Sequence, residues 1–299
     1  MPTCEEVLLR VLAAGVCHTD LHIIDGAMPH LPLPRVLGHE IIGETDELGP
    51  VVVYASWGCG ECLLCRRGEE QLCPHAAEAG WVRDGGYAEF VLVPSKRYLL
   101  PLNGLVDPIR AAPLADAGVT PYRAVRRARD WLRAGDTAVV IGAGGLGQFA
   151  IQYLRLLTDV RVVAVDLAAA KRQRALELGA DEATEPSELD LRACAVFDFV
   201  GADETLELAA RVVEPTGLVV VIGEAGGVIP FGLGRVPHEA TFTTSIWGSR
   251  DDLEAVLRHA RAGELDWQVE ALPLDDVNDA LDRLRSGDVV DRLVVLPDH

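Results

Sequence analysis

The feature that most restricts this chain is an alternation of apolar runs and helical stretches between residues 121 and 264. TAVVIG (137–142) reads as a strand and GLGQFAIQYLRLL (145–157) as a helix. RVVAVD (161–166) and AAAKRQRALELG (168–179) repeat the pair, and Gly179 closes the second helix. CAVFDFVG (194–201), TLELAARVV (205–213) and GLVVVIG (217–223) continue as strand, helix and strand. Strands apolar along their whole length are covered on both faces, and helices between them supply the cover. The pattern predicts an α/β architecture built on a doubly wound parallel sheet of the Rossmann type.

At the first strand–helix turn stand Gly142, Ala143, Gly144, Gly145, Leu146 and Gly147. A G-x-G-x-x-G run says little alone, but after a strand and opening a helix it predicts a dinucleotide loop. The glycines allow a tight turn and let a pyrophosphate approach the helix N-terminus. Asp166 ends the next strand, where an acid accepts hydrogen bonds from the adenosine ribose diol. Its charge would repel a 2′-phosphate, so the expected cofactor is NAD rather than NADP.

The remainder of the chain has another texture. Residues 1–120 are rich in Cys, His, Gly and Pro, with short apolar runs such as VLLRVLAAGV and YAEFVLV. They predict a β-rich domain. Beyond residue 265 a strand, a helix and a final strand follow, and that tail is expected to return to the first domain. The expected division is therefore 1–120 with 265–299, and 121–264.

Of seven cysteines, five lie from Cys17 to Cys73. In a long chain such clustering points to metal rather than disulfides. Cys59, Cys62, Cys65 and Cys73, in a lobe at about 57–75, can wrap one tetrahedral zinc with no open position, a structural site. An iron–sulfur cluster is the other metal reading. Arg66 and Arg67 lie where they would offset the thiolate charge. Cys17 in GVCHTDLH and His39 in GHE supply half of an open zinc site, which needs three protein ligands and a free position.

The net charge of −19 argues against nucleic acid or an anionic membrane as partner. No run of apolar residues is long enough to span a bilayer, and MPTCEEVLLRV lacks the basic start of a secretory signal. A cytoplasmic protein is expected.

The run G-V-C-H-T-D-L-H, then G-H-E with Gly43, then the four-cysteine spacing, then A-A-P-L-A-D-A-G-V-T-P-Y-R-A-V, resembles the zinc-containing medium-chain alcohol dehydrogenases. The likeness runs in order over nearly the whole chain, and is greatest to bacterial secondary-alcohol dehydrogenases with Cys, His and Asp ligands. It implies a GroES-like fold for the first domain and hydride exchange between an alcohol, or its ketone or aldehyde, and NAD. It implies two zinc ions per chain: a catalytic one on Cys17, His39 and Asp116, and a structural one on the four cysteines. Read without the resemblance, Asp116 is a helix N-cap. The resemblance makes Thr19 the hydroxyl that bonds the substrate oxygen and His22 a proton relay. It makes Asp20 the carboxylate orienting His39, Glu40 a carboxylate behind the metal, and His18 and Lys171 cofactor contacts. It also implies a homodimer or homotetramer joined through the dinucleotide domain, where ATFTTSIWG (240–248) could extend a sheet.

Trp57, Trp81 and Trp247 are candidates for an apolar substrate pocket or for plain core. The alternatives are a polyol or threonine dehydrogenase of the same fold, and a non-catalytic zinc- and dinucleotide-binding protein inactivated by deletions. A quinone or enoyl reductase is disfavoured by the cysteine lobe and the Cys17/His39 pair. Against the resembling family three stretches are short: the N-terminal strands, the passage from GETDELG to VVVYASWG, and the stretch between VVAVD and VFDFVG. A lost strand predicts a bare sheet edge.

Overall fold

The computed structural model describes residues 6–31, 33–104, 106–287 and 289–298. It holds two compact units, Met1–Val119 with Gly248–His299, and Thr120–Trp247.

The first unit begins with β1 (Val7–Gly15), α1 (His18–Ile24), β2 (Glu40–Thr45) and β3 (Gly49–Val53). Then come β4 (Ser56–Trp57), α2 (Leu63–Arg66), β5 (Ala77–Glu78), β6 (Phe90–Val93), β7 (Leu99–Pro101) and α3 (Pro108–Ala111). In the second unit, α4 (Val119–Arg127) leads into β8 (Thr137–Ile141), α5 (Gly147–Leu157), β9 (Arg161–Val165) and α6 (Ala169–Glu177). It continues through β10 (Glu182–Thr184), β11 (Ala193–Asp198), α7 (Asp203–Val212), β12 (Val213–Val221) and β13 (Thr241–Thr244). The chain then returns to the first unit with α8 (Arg250–Arg261), β14 (Val269–Pro273), α9 (Val277–Ser286) and β15 (Arg292–Leu296).

Among the described residues the first unit carries a seven-stranded sheet, β14-β15-β1-β2-β3-β7, with β6 also on β1. The bare edge that the short N-terminal stretch predicts is not found at β1. Its first half pairs with β6, its last residues with β15, and β2 runs along the other side. Below the sheet, Leu21 of α1 and Ala280, Leu281 and Leu284 of α9 pack on Ala14, Val16, Leu293 and Val295. Each large side chain buried there contributes about 1.5–3 kcal/mol, so α1 is held firmly against the strand that precedes it.

The second unit carries a six-stranded sheet among the described residues, β10-β9-β8-β11-β12-β13, parallel throughout. Numbered within the unit, the order is 3-2-1-4-5-6, the doubly wound arrangement. Val139, Val163, Val196 and Val219 form its core with Leu208 and Val212 of α7. The trimmed stretch keeps its strand, the three-residue β10, but residues 185–192 form no helix before β11.

The return to the first unit lies at Gly248, ahead of the expected position near 265. Three bonds tie the segment back: Tyr54 Oη donates to Gly248 O at 2.9 Å, Arg250 Nε to Arg97 O at 2.8 Å, and Arg261 Nη2 to Pro101 O at 2.6 Å. Texture alone did not show this, because an amphipathic helix reads the same in either unit. Among the described residues no helix is long and apolar enough to cross a membrane.

Candidate metal and dinucleotide sites

β1 runs out at Gly15, and Cys17 takes the extended N-cap conformation of α1, with φ −128° and ψ 154°. Asp20, third in the helix, accepts the Cys17 N–H at 3.0 Å, which closes the first turn and fixes the thiol. His39 and Glu40 stand where β2 begins, and Asp116 directly follows a 3₁₀ turn over Ala112–Ala115. These three segments bring Cys17, His39, Glu40 and Asp116 together, one potential ligand atom from each lying within 4.8 Å of the others. Cys17 Sγ is 3.7 Å from Asp116 Oδ2, and His39 Nε2 is 3.4 Å from the same oxygen. Asp116 thus turns its carboxylate toward the thiol and the imidazole.

Glu40 belongs to the cluster but is engaged elsewhere. Its Oε1 accepts the Ala117 N–H at 3.1 Å, and its Oε2 lies 2.6 Å from Arg292 Nη2. Burial raises its pKa to about 7, against the lowering pull of Arg292 and with the Asp116 charge adding to the rise. Burial works against charge on His39, but Asp20 and hydrogen bonding to Asp116 and Asp20 outweigh it, so its pKa stands well above 6.5. Asp20, Glu40 and Asp116 are thus gathered about the thiol and the imidazole, with the Arg292 guanidinium paired to Glu40. A thiol, an imidazole and a carboxylate converging there suit a divalent cation with three protein ligands.

Asp20 is fully buried, and its Oδ1 lies 3.5 Å from His39 Nδ1. This is the carboxylate–histidine arrangement that fixes the tautomer of a ligating imidazole. Tyr87 Oη donates to Asp20 Oδ2 at 2.7 Å. Thr19 Oγ1 is 3.9 Å from Cys17 Sγ, beside the cluster. His18 is exposed at the start of α1, and His22 is half-buried in its last turn. Of the three tryptophans, Trp81 stands edge-on to His39 with ring centroids 6.3 Å apart. Trp57 is core, its Nε1 donating to Tyr54 O at 2.8 Å, and Trp247 is buried in the second unit.

The four cysteines of the lobe also converge. Cys62 Sγ lies 3.5 Å from Cys65 Sγ and 3.8 Å from Cys73 Sγ, and Cys59 Sγ lies 3.9 Å from Cys65 Sγ. A disulfide holds its sulfurs about 2.05 Å apart. A tetrahedral Zn–S bond of about 2.3 Å puts neighbouring sulfurs roughly 3.8 Å apart. The observed spacing matches the second. Backbone N–H groups of Glu61 and Cys62 lower the Cys59 thiol to about 6, which favours the thiolate. Arg66 and Arg67 are exposed and point to no lobe partner among the contacts described; the guanidinium that braces the lobe is Arg97, donating to Gly58 O at 3.2 Å.

In the second unit the Gly142–Gly147 loop follows β8 and opens α5. A Cβ on Gly147 would fall 1.9 Å from Gly142 O, so only glycine lets the helix start this close to the turn. Asp166, just past β9, accepts the Ala143 N–H at 2.9 Å, which sets the carboxylate against the loop. That placement fits a nucleotide whose pyrophosphate meets the loop and whose ribose meets the acid. Lys171 lies half-buried on α6; its neighbour Arg172 is the side chain that reaches Asp166, donating to its backbone O at 2.9 Å.

Nothing in the sequence singles out Arg292, Tyr87 or Arg172 for these sites. Arg292 and Tyr87 carry no motif, and each meets its partner across a long loop of chain. Trp81 was a pocket candidate with nothing to separate it from Trp57. Arg172 had one available signal, its place six residues after Asp166 in the first turn of the helix that follows.

Residues 3–104 match the family described as "Alcohol dehydrogenase GroES-like domain" and residues 145–262 the one described as "Zinc-binding dehydrogenase". The D-arabinose 1-dehydrogenase (NADP(+)) of Saccharolobus solfataricus is 36% identical, with 99% of this chain aligned to 91% of that protein. An NAD-dependent alcohol dehydrogenase of Sulfurisphaera tokodaii is 35% identical, over 99% of this chain and 94% of that one. The structure of an acetophenone reductase from Geotrichum candidum in complex with NAD superposes with a TM-score of 0.89 at 31% identity, covering 99% of this chain and 91% of the other. The chain belongs to the zinc-containing medium-chain alcohol dehydrogenases.

Proposed function

We propose that this protein oxidises a secondary alcohol to its ketone, and reverses the reaction, with NAD as hydride carrier and with Cys17, His39 and Asp116 holding the catalytic zinc. The observation that carries the reading is the buried convergence of those three side chains with Asp20 behind His39. Zinc in that position supplies Lewis acidity, lowering the pKa of an alcohol hydroxyl and polarising a carbonyl oxygen. Asp20 holds the His39 ring in the tautomer that leaves Nε2 as the donor atom. Arg292 and the Ala117 N–H engage both oxygens of Glu40 and keep that carboxylate from competing as a fourth ligand. Thr19 hydrogen-bonds the substrate oxygen, taking its proton while giving up its own hydroxyl proton along a relay in which His22 passes a proton toward solvent. His18 and Lys171 contact the cofactor.

The loop from Gly142 through Gly144, Gly145, Leu146 and Gly147 takes the pyrophosphate, and Asp166 takes the ribose diol. The names of the relatives include both an NAD-dependent and an NADP(+) enzyme. A carboxylate beside the loop disfavours a 2′-phosphate by like-charge repulsion, which favours NAD. The name of the acetophenone reductase supports ketones, aryl ones included, as the substrate class.

Cys59, Cys62, Cys65 and Cys73 hold the structural zinc. The first unit is the catalytic domain and the second the dinucleotide domain. The exposed edge strand β13 supports pairing of two dinucleotide domains into a dimer or tetramer. Thiols arranged for metal suit the reducing cytoplasm. The reading is tested by incubating the zinc-loaded protein with NAD or NADP and a panel of primary, secondary and polyhydric alcohols, followed at the nicotinamide absorbance. Turnover of secondary alcohols with NAD supports it; a preference for polyols, or no turnover with any alcohol, overturns it.

A further inference from the structure

Asp20 is the point where three chain segments meet. Its carboxylate has no exposure to solvent. The Cys17 N–H donates to Oδ2 at 3.0 Å, the Gly38 N–H donates to Oδ1 at 3.4 Å, and His39 Nδ1 lies 3.5 Å from Oδ1. One carboxylate therefore joins the turn that carries Cys17 to the loop that carries His39. The third segment is 85–87. Its Gly85, Gly86 and Tyr87 N–H groups donate to the carbonyls of Val36, Gly38 and Leu37 at 2.8, 2.8 and 3.0 Å. Its Tyr87 hydroxyl then reaches Asp20 Oδ2 at 2.7 Å, with Gly15 O a second acceptor at 3.2 Å. A phenol carries one proton, and the shorter distance assigns it to Asp20 Oδ2 rather than to Gly15 O. The ring is seated tightly: a Cβ on Gly38, whose φ is +92°, would fall 2.7 Å from its Cδ1.

We infer that Tyr87 is a positioning residue of the catalytic metal centre, acting through Asp20 to hold His39 and Cys17 in ligating orientation. The inference rests on the proposed assignment of Cys17, His39 and Asp116 as the catalytic ligands. Without the hydroxyl, Oδ2 keeps only the Cys17 N–H, and the carboxylate is free to rotate away from the imidazole. The ring packing against Gly38 survives a change to phenylalanine, so the loss falls on orientation and not on the fold. Partners behind a ligating histidine are commonly worth 10–100-fold in metal affinity or activity.

The test compares the parent with Tyr87→Phe, both carrying cobalt(II) at the catalytic site and zinc at the four-cysteine site. The readings are the cobalt d–d absorption, the rate at which a chelator strips the cobalt, and the thermal midpoint. The expected result is a shifted d–d band and cobalt loss about 10-fold faster, with four-cysteine zinc and midpoint unchanged. A band and a stripping rate indistinguishable from the parent overturn the inference. So does a lowered midpoint with the band unmoved, which would make Tyr87 a packing residue. A parent that takes up metal only at the four cysteines removes the functional reading, and this inference with it; a parent with both sites and an unaltered variant overturns this inference alone.

Discussion

Arg292 Nη2 lies 2.6 Å from Glu40 Oε2, and their side chains are 6% and 0% exposed. The pair brings the last strand of the chain to the first residue of β2, and so places a fixed cation behind the candidate metal centre. Arg292→Met would leave the buried Glu40 carboxyl without its ion-pair partner, to be carried as an unpaired charge or neutralised by taking up a proton. Breaking one side of such a pair costs about 3–5 kcal/mol, and denaturant unfolding should show a loss of that size. The double variant Arg292→Met/Glu40→Gln should recover part of it. A loss below about 1 kcal/mol would assign the pair a surface-like weight.

Cys194 lies buried on β11, and burial, with the charges of Asp136 and Glu214, pushes its thiol up to about 12. The thiolate is the reactive form. At neutral pH the native Cys194 peptide should be alkylated roughly a thousandfold more slowly than in denaturant, given a free-thiol pKa of about 8.5. Peptide mapping after timed alkylation reads this directly. Equal labelling in the two states would mean that β11 opens readily.

Gly147→Ala would press a Cβ onto Gly142 O, whose distance of 1.9 Å no side-chain movement can relieve. The loop must open, and KM for NAD should rise about 10-fold, equivalent to about 1.4 kcal/mol. Metal content should not change, because both metal clusters lie in the first unit. An unaltered KM would remove the loop from pyrophosphate binding.

His22→Ala should flatten or shift the pH profile of alcohol oxidation while leaving metal content at the parent level. A superimposable profile would take His22 out of the proton path. The half-buried position of His22 in the last turn of α1 is compatible with passing a proton outward.

What was legible in the sequence was local. The four cysteines fall within fifteen residues, and the glycine loop within six, so spacing alone carries their geometry. The parallel sheet was legible because its strands are apolar on both faces, as in the consecutive buried pairs Val139 and Val140 of β8 and Val162 and Val163 of β9. Asp116 was different. It reaches Cys17 across 99 residues, and only resemblance to a family distinguished it from a helix cap. Arg292, 252 residues from Glu40, left no trace in any periodicity. Tyr87 opens the run YAEFVLV, and nothing in that run links its hydroxyl to Asp20, 67 residues away. The short N-terminal stretch suggested an exposed edge, because pairing of β1 with β6 and β15 depends on contacts that no local pattern encodes.

Zinc content and NAD-linked oxidation of a secondary alcohol, measured side by side on the parent and on Asp116→Ala, bear most directly on the catalytic centre. Two zinc ions per chain with turnover in the parent, and one zinc with turnover at background in the variant, are the expected results. A variant that keeps both zinc ions, or that oxidises alcohol at the parent rate, would contradict the assignment of Cys17, His39 and Asp116.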